Sequence, residues 1–172
     1  MAKKKTYPAL FKLFKNGFLP QHTHIIGYAR TQMTHEDYLG RVTQYIKAGD
    51  DELSRFKAIT SYHAGKYDDD ASWQSLNKYI ADNESTRGCP VKNRVYYMAL
   101  PPSVFIPVAK GLKKNVYAAD GLNRLIVEKP FGMDTDSSNE LAHEIGALFS
   151  EDEVIRTDTG DRDGSGRKKK KN

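Results

Sequence analysis

Four short apolar runs, each parted from the next by a stretch of helical periodicity, limit most strongly what this chain can fold into. They are His24–Ala29, the weaker Ile59–Ala64, Arg94–Leu100 and Leu125–Val127. Runs that stay apolar, rather than alternating with polar residues, read as strands covered on both faces, the habit of parallel sheets. The intervening segments carry helical stripes. Tyr7, Leu10, Phe11 and Phe14 fall at i, i+3, i+4 and i+7. Thr34 to Asp37 reads as a capping box before Tyr38, Leu39, Val42, Tyr45 and Ile46. Leu53 and Phe56 mark a short helix, and Asp69 or Asp70 caps one bearing Trp73, Leu76, Tyr79 and Ile80. Pro101 and Pro102 end the third run and lead into Val104, Val108 and Leu112. A last helix starts near Ser137, with Leu141, Ile145, Leu148 and Phe149 facing inward.

The fold class expected is α/β: a Rossmann-like, doubly wound, mainly parallel sheet with helices on both faces. Such domains open with a strand and a glycine-rich turn that hands phosphates to the first helix. This chain opens inside that helix, so the expected fold lacks the first strand and the glycine-rich turn. With 172 residues there is room for one domain of this kind and not for two large ones. The domain is expected over 2–154. Residues 155–172 are read as a low-complexity, disordered basic tail, since TDTGDRDGSGRKKKKN holds no large apolar side chain.

Several function classes drop out. No apolar run reaches the 18 or so residues of a membrane span, and the N-terminus has no secretory core. The single cysteine, Cys89, forms no internal disulfide and no multi-cysteine metal site, so no metal is expected. A cytoplasmic location fits. The net charge of +5 is concentrated in Lys3, Lys4, Lys5, Lys12 and Lys15 and in the run Arg167 to Lys171. The closing run reads as a solvated end or as a nuclear-import or nucleic-acid patch; Asp158, Asp161 and Asp163 beside it argue against nucleic acid.

Two residues carry chemistry. Arg30 follows the first apolar run, with no acid until Glu36. At the end of the second strand of a dinucleotide fold, an acid favours NAD and an arginine accommodates the 2′-phosphate of NADP. An arginine after a strand is also common as plain surface, and the residues alone leave both readings open. Lys129 follows the last run, where ligands meet the carboxyl edge of an open sheet. A lysine there neutralises a phosphate, orients a sugar hydroxyl, or is an exposed loop residue.

Four segments in register carry a family resemblance: Ala2-Lys3-Lys4-Lys5-Thr6-Tyr7-Pro8, Gly27-Tyr28-Ala29-Arg30, Tyr97 through Phe105, and Val127-Glu128-Lys129-Pro130-Phe131-Gly132. In order and spacing they resemble the coenzyme-binding domain of glucose-6-phosphate dehydrogenases. That resemblance implies NADP as cofactor and glucose 6-phosphate as substrate, oxidised to 6-phosphogluconolactone. It implies that Ala2 and Lys3 end the pyrophosphate-binding segment, and that Arg30 meets the 2′-phosphate. It implies that Ala99, Leu100 and Pro101, with Pro102, lie along the coenzyme. Lys5 is implied near the substrate, and Lys129 against both substrate and coenzyme. Phe105 stands where some members have tyrosine.

The departures imply something too. After Val154 the family's Arg-Ile-Asp-His-Tyr-Leu-Gly-Lys peptide fades, with Thr159 in place of its histidine. None of His22, His24, His35, His63 and His143 occupies the motif of the family's catalytic base. The chain is therefore expected to be an inactive fragment with no catalytic residue of its own. The other readings are a non-catalytic module that pairs with a full-length relative, and a basic-tailed nucleic-acid binder.

Overall fold

The structure, a computed structural model, describes residues 4–128 and 135–157, with the side chains of all of these except 128 and 135–138. The first helix, α1 (Thr6–Lys15), forms where the aromatic stripe was read, and buries Tyr7 and Phe11. Strand β1 (Ile25–Ala29) follows, then α2 (His35–Thr43) and α3 (Asp50–Ala58). Thr34 caps α2 by accepting the Asp37 amide at 3.1 Å, and its hydroxyl donates to the Asp37 carboxylate at 2.8 Å. The helix ends at Thr43 rather than running through Tyr45 and Ile46. Tyr45 consequently stands in solvent, 45% exposed, with the Lys4 ammonium 5.6 Å above its ring.

Strand β2 (Thr60–Ala64) pairs with β1 in parallel, Ile25 against Thr60 and Ala29 against Ala64. Helix α4 (Asp70–Thr86) starts at Asp69, whose carboxylate accepts the Ser72 amide. Then come β3 (Arg94–Met98), α5 (Pro102–Asn115), β4 (Asn123–Glu128), α6 (Thr135–Leu148), the short 3₁₀ turn Glu151–Glu153 and β5 (Val154–Thr157). β4 lies between β3 and β5, parallel to both. The described strands thus make two parallel sheets, β2–β1 and β3–β4–β5. Parallel strands that alternate with helices in this way are the habit of a Rossmann-like, doubly wound fold.

β5 corrects one boundary. Val154 to Thr157 pair with Leu125 to Glu128, so the sheet runs three residues into the segment read as tail. The Lys113 ammonium helps hold this end. It meets Glu153 at 2.8 Å and lies 4.5 Å from the Tyr117 ring centroid. Residues 158–172 lie outside those described.

The helices divide between two faces. Tyr7, Phe11, Tyr38, Val42 and Phe56, from α1, α2 and α3, pack together with Ile25 of β1 and Tyr62 of β2. The larger cluster joins Trp73 and Leu76 of α4, Phe105, Val108 and Leu112 of α5, and Leu141 and Ile145 of α6. It takes in Tyr96, Met98, Leu125 and Val127 from β3 and β4, and Ile26 and Tyr28 from the opposite face of β1. Trp73 is 1% exposed and lies on α5 at Gly111, where a methyl group would sit 2.3 Å from the indole ring. On the other face of β3 and β5, Val95, Tyr97 and Ile155 remain exposed. Strand β3 therefore alternates buried and exposed, and the described helices cover this half of the sheet on one side.

Among the described residues one charged side chain is buried. Arg94, at the start of β3, donates to both carboxylate oxygens of Glu84 at 2.8 Å, to Asn77 at 2.7 Å and to the Val116 carbonyl. Burial opposes its charge, but Glu84 outweighs burial and holds the guanidinium above its ordinary pKa. Among the described residues no helix is long and apolar enough to cross a membrane.

Candidate functional site

Because strands within each sheet are parallel, the residues that follow them collect on carboxyl edges, where open α/β sheets take their ligands. Arg30 leaves β1 there, and Gly65, Lys66 and Tyr67 leave β2 beside it. The backbone around Arg30 is held on both sides. The Tyr62 hydroxyl reaches the carbonyls of Ala29 at 3.3 Å and Thr31 at 2.5 Å, and the Gly65 amide donates to Ala29 at 3.0 Å. Gly65 has no room for a side chain: a β-carbon would fall 2.4 Å from the Tyr28 hydroxyl.

The loop after β2 is pinned in turn. The Tyr28 hydroxyl donates to the Lys66 carbonyl at 2.9 Å, and the Trp73 indole to the Tyr67 carbonyl at 3.0 Å. Tyr67 packs against Tyr28 and Trp73, and the Arg30 guanidinium carbon stands 5.2 Å from the centroid of its ring. Burial pushes the Tyr67 phenol up, and Arg30 pulls against that rise. The outcome is an exposed guanidinium set on a fixed aromatic shelf, with no carboxylate bonded to it among the described residues.

The other expected residues fall as follows. Ala99, Leu100 and Pro101 lie immediately beyond β3; Leu100 packs on the larger core and Pro101 is the N-cap of α5. Lys5 is the N-cap of α1, whose first turn contains no acid. Ala2, Lys3 and Lys129 lie outside the described residues. The structure thus brings Arg30 together with Tyr67, a partner that the sequence did not single out. Three tyrosines at the ends of β1 and β2 (Tyr28, Tyr62 and Tyr67) were the available signal.

Two other features are set apart from this edge. A groove of about 390 Å³ along the C-terminal half of α4, lined by Tyr79, Asp82, Asn83, Thr86 and Arg87, lies toward the amino ends of the strands. His24, just before β1, is likewise at an amino end. Its Nε2 meets the Ser61 hydroxyl at 2.7 Å, while Nδ1 is buried with no partner among the described residues. Burial, then the charges of Arg87 and His35, lower its pKa to about 4. Burial lowers that of His63 as well.

A pH dependence follows from these two histidines. In the unfolded chain a histidine takes a proton near pH 6.5, and the folded chain refuses it. Stability is fully present above about pH 6.5 and falls as pH drops toward about 4. Urea midpoints measured across that window should decline, and less steeply in His24→Gln. Equal slopes in the two proteins would remove His24 as a cause.

Comparison with known proteins places this geometry. The sequence model described as "Glucose-6-phosphate dehydrogenase, NAD binding domain" matches residues 1–159. The glucose-6-phosphate 1-dehydrogenase of Emericella nidulans is 48% identical over 162 residues, which is 92% of this chain and 31% of that one. The Aspergillus niger enzyme of the same name is also 48% identical, with the same coverage. A solved glucose-6-phosphate dehydrogenase in complex with its substrate glucose-6-phosphate superposes with a TM-score of 0.85 at 44% identity, covering 91% of this chain and 34% of that one. The chain thus spans about a third of the length of the curated relatives it matches. With a doubly wound order, an arginine at the carboxyl end of β1 and a family match over nearly its whole length, the chain belongs to the glucose-6-phosphate dehydrogenase family, in the part that forms the NAD-binding domain.

Proposed function

We propose that this chain supplies the NADP-binding part of a glucose-6-phosphate dehydrogenase. Arg30 carries the reading. It stands at the carboxyl end of β1, is exposed, and presents its donors without a competing carboxylate among the described residues. A guanidinium grips a phosphate through paired N–H bonds, which is the chemistry needed to hold a 2′-phosphate and to tell NADP from NAD. The coenzyme, when bound, supplies the hydride acceptor.

The chain's own residues bind and orient. The N-terminus of α1, with no acid in its first turn and no side chain capping it, suits the pyrophosphate, with Ala2 and Lys3 leading into it. Ala99, Leu100 and Pro101, between β3 and α5, are the residues we assign to lie along the coenzyme. Lys5 and Lys129 are the cations we assign to glucose 6-phosphate, Lys129 also facing the coenzyme. The domain is proposed to close with β5, and the segment after it to serve as a tail.

Titration with the two coenzymes tests the assignment. Charge-assisted hydrogen bonds contribute about 1.5–3 kcal/mol, so Arg30→Ala is expected to weaken NADP about 10- to 100-fold and leave NAD nearly unchanged. Equal weakening of both coenzymes would make Arg30 a structural residue.

A further inference from the structure

We infer that Tyr67 is a positioning residue for coenzyme choice, acting through Arg30; the inference rests on the reading of Arg30 as the 2′-phosphate contact. A free arginine on a surface samples many rotamers, and a ligand that needs one of them loses affinity to that freedom. A carboxylate would hold the side chain still, but by occupying the N–H donors that a phosphate requires. An aromatic face holds the cation and takes none of them. Tyr67 provides that face at 5.2 Å, and among the described residues no ion pair is formed by Arg30.

The shelf is itself built to stay put. Tyr67 is braced by Tyr28 at 5.9 Å and Trp73 at 6.4 Å between ring centroids, its carbonyl receives the Trp73 indole, and Trp73 is buried. Tyr62 fixes the main chain on either side of Arg30. Backbone and side chain of the arginine are therefore restrained by two different tyrosines, one through hydrogen bonds and one through a ring. The restraint from Tyr67 bears only on the ligand that uses the guanidinium, so it should appear in the ratio of affinities and not in coenzyme binding as a whole.

The experiment titrates the full 172-residue chain with adenosine 2′-monophosphate and with adenosine, in wild type, Arg30→Ala, Tyr67→Leu and Tyr67→Phe. Wild type should prefer the phosphate. Tyr67→Leu should cut that preference about two- to fivefold, the scale of an exposed cation–ring contact, with adenosine affinity kept. Tyr67→Phe retains the ring and should retain the preference. If Tyr67→Phe loses the preference as Tyr67→Leu does, the hydroxyl and not the ring matters, and the inference falls. If Tyr67→Leu keeps the full preference, or loses both ligands equally, it also falls. A wild type with no preference, or no binding, overturns the reading of Arg30 first, and Arg30→Ala with unaltered preference does the same. Should Tyr67→Leu not fold, the Arg30 Nε–H resonance in wild type and Tyr67→Phe decides. Ring-current displacement that adenosine 2′-monophosphate perturbs and adenosine does not supports the shelf; an undisplaced resonance overturns it.

Discussion

Replacing Arg94 with alanine is expected to destabilise the domain by about 3–5 kcal/mol, the usual result of leaving one member of a buried ion pair alone. Arg94 and Glu84 are 8% and 13% exposed, so the orphaned carboxylate cannot recover its solvation. Asn77 would lose this donor in the same step, while the Val116 carbonyl would keep the Tyr96 hydroxyl at 2.8 Å. Whole-domain stability is about 5–15 kcal/mol, so about a fifth or more of it rests on this one side chain. Lysine at 94 should recover only part, since an ammonium does not span both carboxylate oxygens as the guanidinium does. Urea unfolding of the three proteins measures this. A loss below about 1 kcal/mol would place the pair with ordinary surface bridges.

Mixed with glucose 6-phosphate and NADP, the 172 residues on their own are expected to produce no reduced coenzyme. Removing a proton from the sugar hydroxyl calls for a general base, which typically contributes about 10²–10⁴-fold. Two of the described histidines are otherwise engaged, and none of the five stands in the motif of the family's base. His24 is bonded to Ser61 and kept neutral by burial, with its basicity drawn down to about pKa 4. His63 lies between the rings of Tyr28 and Tyr79 and is bonded to Ser75. His143 is exposed on the flank of α6. Absorbance of reduced coenzyme over hours provides the check. Turnover that vanishes in Arg30→Ala would show that the chain holds a complete active site.

Much of this fold is legible in the sequence because its signals are local. The aromatic stripe of α1, the caps at Thr34 and Asp69 and the apolar runs of β1, β3 and β4 need no distant partner to be recognised. What could not be read depends on tertiary contact. Strand β5 has only four residues, one of them Arg156, and owes its existence to pairing with β4. The end of α2 at Thr43 is similar: the periodicity continues through Tyr45 and Ile46 while the chain turns away. At the site, Arg30 was marked by its place after an apolar run, but Tyr67 lies 37 positions further on in a polar loop. Only the parallel register of β1 with β2 brings the two together.

The way Tyr62 grips the chain beside Arg30 separates two things that proteins often entangle. Its hydroxyl holds main-chain carbonyls, which are the same whatever residue occupies position 30. A change of side chain there leaves the scaffold's own bonds in place and alters only what is offered to the nucleotide. If Arg30 holds the 2′-phosphate as proposed, preference for one coenzyme over another is an exchangeable trait, free to drift or be selected at a single codon without dismantling the edge that displays it.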